Sequence, residues 1–469
     1  MAVVSTYPNY QSLRSRWVPR VPEHWSLLRA KNFLREIDDR SKTGEETLLS
    51  MRMQRGLVPH NDVSVKRIAP ENLIGYKKAQ PDELVLNRMQ AGNAMFFRNR
   101  QPGLVSPDYA VFRLLRNDNP EYLGHLFRSW PMRGLFRSES KGLGTGTSGF
   151  LRLYSDRFAA LEIPLPPRPE QDQIVAYLRA QDAHIARFIK TKRDLIKLLT
   201  EQKLRIIDHA VTRGLDSSVA LKPSGIEWLG EVPEHWEVLR LRRLAKDSIR
   251  NGVGESAQHF REDWPRYIRI TDIAGPTALK DSTKASLPPE VASRAPLNPG
   301  DLLFAAVGAT FGKSYLHTQT GYPCCYAGFL VKVSPNELVT SEFLSLWAQS
   351  NVYWDQLRSQ VIQATIQNFS ASRYKDLVVP VPPVDEQQAI CRWITDECLP
   401  LDEAIAHTEE EIKLIREYRD RQISDVVTGQ VDVRGWQPGP DDVVDDAALA
   451  ALGDENEDVT EEEDGDGKD

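Results

Sequence analysis

Two stretches of this chain carry the same run of apolar and polar positions. In the first, Ile185, Ile189, Ile196, Leu199 and Ile206 are apolar, spaced four, seven, three and seven, and Lys192 and Lys203 take the slots those steps skip. In the second, the equivalent slots are Leu401, Ile405, Thr408, Ile412 and Ile415. Steps of four and three mark a narrow helical seam, the heptad pattern of a coiled coil. The flanking residues are highly charged, so each stretch reads as a long helix with one buried edge. Gln173 to Val211 gives 39 residues, roughly 58 Å at about 1.5 Å per residue.

The likeness extends beyond the seam. Arg157 aligns with Arg373, Pro164 with Pro380, Glu170 with Glu386, Thr212 with Thr428 and Asp216 with Asp432, all at an offset of 216 without a gap. Upstream, Trp17 matches Trp228, and Val21–Trp25 matches Val232–Trp236, at an offset of 211. This is a duplicated unit, not a short solenoid repeat. The five-residue difference falls in the middles, 27–156 and 237–372. There, short strand-like runs alternate with turns rich in Gly and Pro, followed by a helical stretch, which predicts mixed α+β domains. The order of parts is shared and the residues differ. The repeated Pro-Glu-His-Trp run reads as an extended segment that anchors an aromatic ring, with His24 and His235 structural.

Composition narrows the class. No run approaches 18 apolar residues, which excludes a membrane helix, and the N-terminus lacks the apolar core of a signal peptide. The four cysteines form neither a disulfide framework nor a metal-ligand spacing, so a reducing cytoplasm is expected. The formal charge of −7 is unevenly distributed. Residues 441–469 hold fourteen Asp and Glu and one Lys, a charge of −13, so the first 440 carry +6. The body is mildly basic, which permits a polyanionic partner. The tail from 436 onward is too polar to fold alone and is expected to be disordered.

Motifs for catalysis fail one by one. Gly308–Ser314, GATFGKS, has three residues where a phosphate-binding loop needs four. Asn119–Tyr122, NPEY, lacks the second proline of an amino-methyltransferase tetrapeptide, and no glycine-rich cofactor loop follows a strand nearby. Lys141–Gly149 is glycine-rich without the strand–loop–helix setting of a dinucleotide site. No catalytic residue, metal site or cofactor is expected. The same loops suit nucleic acid, since glycine lets backbone N–H groups approach phosphates and polar side chains reach base edges. Candidate contacts in the first half are Arg88, Gln90, Asn93, Lys141, Thr145, Thr147 and Ser148. In the second half they are Thr310, Lys313, Gln363, Thr365, Gln367 and Asn368.

Taken together, Pro-Glu-His-Trp, a variable domain, an Ile-Pro-Leu-Pro-Pro-type strand, Glu-Gln, and a long helix ending in Val-Thr near a glycine form a doubled pattern. It resembles the specificity subunits of type I restriction–modification systems over about residues 10–435. The resemblance implies an α+β fold with two target-recognition domains, residues 1–165 and 217–381. Two long antiparallel helices, 166–216 and 382–435, would separate them as a coiled coil, ahead of a tail at 436–469. It also implies a non-catalytic subunit that reads a bipartite, asymmetric double-stranded DNA target, docks two methyltransferase subunits and joins restriction subunits. The residues alone leave two other classes open, a fused DNA methyltransferase or nuclease and a protein-only coiled-coil scaffold.

Overall fold

The computed structural model describes residues 5–53, 55–64, 66–143, 150–226, 228–257, 259–308, 310–318, 321, 323–360, 369–440, 442 and 452. The chain divides into two units, Met1–Asp194 with Glu409–Asp469, and Leu195–Thr408. The boundaries drawn from the sequence follow the ends of the long helices, whereas the units divide within them.

In the first unit the central sheet comprises β1 (Leu34–Ile37), β2 (Leu84–Leu86), β3 (Phe96–Arg98) and β4 (Ala110–Leu114), antiparallel in the order β1-β4-β2-β3. Helices α1 (Pro120–Arg128) and α2 (Trp130–Glu139) follow. The long helix α3 (Arg168–Arg213) starts after an edge strand, Glu162–Leu165, that pairs with Ser26–Arg29. In the second unit β5 (Arg250–Asn251), β6 (Leu302–Ala305), β7 (Ser314–Leu316) and β8 (Leu330–Val333) form a sheet in the order β5-β8-β6-β7. Helices α4 (Ser341–Trp347) and α5 (Asn351–Gln360) follow, then the strand Val378–Val381 paired with Glu237–Arg240, then α6 (Val384–Val427). The two sheets thus share one strand order around unlike residues. The second unit adds a three-stranded sheet in which Arg266–Ile268 runs parallel to Cys324–Tyr326.

Each core is aromatic beneath its sheet. Phe96 stacks on Phe127 at 4.6 Å between centroids, and Phe112, Phe136 and Phe158 close around them. In the second unit Phe304, Tyr353, Tyr374, Trp347 and Phe369 do the same work. Each such buried ring contributes about 1.5–3 kcal/mol of transfer free energy.

The repeated motifs converge on one point in each unit. Glu170, buried in the first turn of α3, accepts from Tyr7 Oη at 2.6 Å and Trp25 Nε1 at 3.0 Å, and faces His24 Nε2 at 2.7 Å. In the second unit Glu386 accepts from Trp236 Nε1 at 3.1 Å and faces His235 Nε2 at 2.7 Å. The Pro-Glu-His-Trp run is therefore the tether for the Glu-Gln pair, with the His–Glu partners 146 and 151 residues apart. The Gln does a second job. Gln171 accepts from the Asn119 N–H at 2.7 Å, and Gln387 from that of Thr340 at 2.7 Å. Both thereby hold the residue that caps the next helix: Asn119 accepts from Glu121 and Tyr122 N–H, and Thr340 from Phe343 N–H. The NPEY stretch is a helix start with proline at the first turn.

The far ends of the long helices close on the same tryptophans. Gly214 and Gly429 take left-handed φ of +73° and +74°, as helix-terminating glycines do. A Cβ on Gly429 would stand 2.3 Å from Pro22 Cδ and 3.1 Å from Trp25; one on Gly214 would stand 3.2 Å from Trp236. The two endings, Val-Thr-Arg-Gly and Val-Thr-Gly, thus reach one conformation. Chain order makes this an exchange: α3 starts at Trp25's carboxylate partner and ends at Trp236, while α6 starts at Trp236's partner and ends at Trp25.

Because Glu170 has three donors in a buried setting and Glu386 two in a half-exposed one, their removal should differ in cost. Glu170→Ala leaves buried donors unsatisfied and should lower stability by about 2–4 kcal/mol, against about 1–2 kcal/mol for Glu386→Ala. Urea unfolding of the two variants, followed by tryptophan fluorescence, checks the difference.

Candidate nucleic-acid interface

Two equivalent hairpin turns carry five of the residues expected to contact nucleic acid. Arg88–Asn93 is a 3-10 turn between β2 and β3, and Thr310 and Lys313 lie on the turn between β6 and β7. In each unit the chain returning from the helix pair meets that hairpin: the Leu153 N–H donates to Arg88 O at 3.0 Å, and the Phe369 N–H to Ala306 O at 2.8 Å. Lys141 sits at the foot of the intervening hairpin in the first unit, where Lys141–Leu143 pairs with Phe150–Arg152. Thus the architecture brings each turn and each returning segment together.

The individual side chains divide. Gln90, Asn93, Lys141 and Lys313 are exposed and Thr310 is half-buried. Arg88 is not available in the same way: its Nη2 bonds Glu36 and the Ser155 hydroxyl, the latter at 2.9 Å, which ties the turn to β1 and to the segment before α3. Its role in the fold is a brace. Thr145, Thr147, Ser148, Gln363, Thr365, Gln367 and Asn368 lie outside the described residues. The Gly308–Ser314 stretch is strand–turn–strand, whereas a phosphate loop runs into a helix. Among the described residues no group of three or more His, Cys, Asp or Glu is placed to share a metal ion, and no helix is long and apolar enough to cross a membrane.

Sequence reasoning centred on glycine-rich loops missed a basic cleft. In the first unit a groove of about 1710 Å³ runs past the β2–β3 turn and the α1–α2 junction to the C-terminal part of α6. Nine arginines line it against five carboxylates, and Asn93 is on its wall. Some of the arginines are held: Arg98 pairs with Asp82 and Glu121, and Arg419 takes Asp182 in two bonds of 2.6 and 2.8 Å. Arg55, Arg100 and Arg133 are exposed and meet no carboxylate among the described residues. The signal was present as arginines recurring through Arg52–Arg55, Arg98–Arg100 and Arg128–Arg137, but its convergence is three-dimensional.

The long helices supply the remaining geometry. In the first unit Gln422 reaches Tyr177 Oη at 2.9 Å, Arg419 reaches Asp182, and Lys192 Nζ meets Glu411 at 2.6 Å. In the second, Lys203 Nζ bonds Asp402 at 2.5 and 2.8 Å. The two lysines that interrupt the apolar seam therefore each find a carboxylate on the opposing helix. Ile185, Ile189 and Ile412 are buried, and Ile196, Leu199, Ile206, Leu401, Ile405 and Ile415 half-buried. Thr408, in the seam of α6, is buried with its hydroxyl donated to Ala404 O at 2.7 Å.

These features meet their counterparts among known proteins. The family described as "Type I restriction modification DNA specificity domain" matches the chain over residues 77–198 and again over 261–414, more than half its length. The chain belongs to that family. Its DNA-recognition role follows, as does its place as a specificity subunit and not an enzyme. The MjaVIII specificity subunit of Methanocaldococcus jannaschii is 21% identical over 455 residues, covering 92% of this chain and 99% of that protein. The EcoKI specificity subunit of Escherichia coli is 21% identical over 211 residues, 43% of this chain and 44% of the relative. A chain from a solved structure on "complex assembly and conformational transition" of the type I R-M system superposes with a TM-score of 0.56 at 15% identity. It covers 87% of this chain and 98% of its own, and shares the fold.

Two outcomes test this family member's site. Lys313→Ala should leave stability unchanged, weaken DNA binding across all sequences and reduce the salt slope by about 1 if it meets a phosphate; Arg88→Ala should instead lower the unfolding midpoint. Titrations at several salt concentrations beside thermal melts separate the two. Secondly, His125, which lines the cleft, is pushed down to about 4 by burial, against the opposing pull of Asp182 and Glu121. The unfolded imidazole takes a proton near 6.5 and the folded one refuses it until about 4, so stability is full above the first value and falls as pH drops through that window. His125→Gln should flatten this part of the stability–pH curve, measured by urea unfolding between those limits.

Proposed function

We propose that each unit carries one reader of a two-part, asymmetric double-stranded DNA target, and that α3 and α6 act as an antiparallel coiled coil that sets the gap between the halves. The observation that carries this is the shared strand order, β1-β4-β2-β3 and β5-β8-β6-β7, with equivalent hairpin tips bearing different residues. One scaffold presented twice with unlike tips is a device for reading two unlike sequences. Half-sites about 34–36 Å apart fall on one face of B-DNA, and a pair of long helices is a suitable spacer. The cross-helix pairs Lys192–Glu411 and Lys203–Asp402 support an antiparallel register, because a polar residue in a seam favours the one alignment that satisfies it.

On this reading residues 1–165 and 217–381 are the target-recognition domains, and 166–216 and 382–435 the spacer helices. Two methyltransferase subunits dock on the helices, with restriction subunits joining the assembly. Exposed apolar side chains support a docking role: Phe188, Leu414 and Tyr418 in the first unit, and Leu195, Leu198 and Leu399 in the second. A helix face that keeps such residues in water is suited to a partner subunit.

Replacing residues 27–156 with the equivalent domain of a related subunit should change one half of the methylated sequence and leave the other. Long-read methylation mapping of cells carrying the exchange decides it; a change in both halves contradicts the two-reader assignment. Inserting four residues after Leu199 adds about one helical turn, roughly 6 Å. In a still-active complex it should lengthen the gap by close to two base pairs, at about 3.4 Å each, without altering either half.

A further inference from the structure

The arginine cleft of the first unit has an occupant close at hand. The chain leaving α6 is fastened along α3: Gln173 Nε2 donates to Trp436 O at 2.6 Å, Trp436 packs edge-on against Tyr177, and Asp442 meets His184 Nε2 at 2.6 Å. Ten residues later Leu452 is on the lining of the cleft. The sequence beyond it, 453–469, contains ten Asp and Glu and a single Lys. An acidic segment thus starts at a groove that has four more arginines than carboxylates.

The cleft is built to receive oxygen anions. Arg55, Arg100 and Arg133 present unspent charge at its surface. Deeper, Arg128 is held by Nη2 on Met53 O at 2.9 Å and by the Phe97 ring at 4.4 Å, and its buried Nε has no hydrogen-bond partner. Guanidinium groups take carboxylates in paired bonds, and a site with an unmet N–H favours a ligand that supplies an acceptor.

We propose that this cleft is a binding site for an acidic peptide and that its occupant is the chain's own tail, residues 453–469, which competes there with DNA phosphates. The inference rests on the DNA-reading role set out above, because Asn93, a candidate contact, shares the cleft wall. A tethered ligand acts at an effective concentration of about 1 mM, so even a weak contact is occupied most of the time. Unrelated DNA, held by charge alone, must displace it. A cognate target makes additional contacts at base edges and displaces it more readily.

The test uses the full chain assembled with its methyltransferase subunits. A photo-crosslinking p-benzoylphenylalanine replaces Val459, and crosslinked peptides are mapped by mass spectrometry at low salt without DNA. The expected crosslinks are intramolecular and fall on residues 53–57, 93–100, 128–133 and 416–425. They should be lost when Arg55, Arg100 and Arg133 are all changed to Glu. Crosslinks scattered over other surfaces, or unaffected by the charge reversal, overturn the docking. A free peptide of sequence 453–469 should bind the chain truncated after Leu452, and the same peptide with every Asp and Glu replaced by Asn and Gln should not; equal binding of both overturns it as well. In the second arm, truncation after Leu452 should tighten binding to unrelated duplex about tenfold at low salt, a difference that shrinks as salt rises. Equal affinities at low salt overturn the competition. The crosslinks require no DNA, so their failure counts against docking alone and is separable from any failure of DNA reading.

Discussion

A tryptophan held between a carboxylate and a glycine is the constraint on which the rest of this protein depends. Trp25 donates to Glu170 at the start of α3 and packs on Gly429 at the end of α6; Trp236 donates to Glu386 at the start of α6 and packs on Gly214 at the end of α3. Each long helix is thereby fixed at both ends, in a different unit at each. This accounts for the pattern of the duplication. Arg157–Asp216 matches Arg373–Asp432 at an offset of 216 with no gap; a residue inserted within a helix would turn its far end by about 100°, whereas the one-residue difference in the place of the closing glycine, Gly214 against Gly429, falls in the turn after the helix. Upstream of the middles the offset is 211, because length changes there are absorbed in loops.

With the ends fixed, the two halves differ most in their middles. The two sheets keep one strand order, the helix pairs that follow are capped by equivalent residues, and even the distal contacts repeat: Asp208 of α3 accepts from the Asn351 N–H at 2.5 Å, and Ser424 of α6, 216 residues later, accepts from that of Trp130 at 3.3 Å. A frame held at its ends can carry unlike residues on its hairpin turns without being disturbed.

Much of this was legible in the chain itself. The heptad spacing and the repeat located the long helices, and α3, at Arg168–Arg213, exceeds the expected Gln173–Val211 by five residues at one end and two at the other. The α+β middles and the structural role of His24 and His235 were also readable, although nothing local showed that both histidines face the Glu of a motif some 150 residues downstream. Individual contact residues were less legible. Arg88 looks like a free cation on a turn until Glu36, 52 residues away, is seen beside it. The seam lysines look like interruptions until Glu411 and Asp402 appear opposite them. The cleft escaped notice for the same reason, since its arginines come from strand, turn and helix segments that only the fold assembles. Periodicity reports which face is buried; it does not report which charges meet.

The central claim is that two modules, each closed by its own clamp, read two unlike sequences at a separation set by the helices. Long-read mapping of methylated bases in cells carrying the unaltered system tests it most directly. The account predicts a motif of two different short sequences separated by a constant run of unspecified bases, with methylation in both halves. A single contiguous motif, or two halves separated by a variable gap, would contradict it.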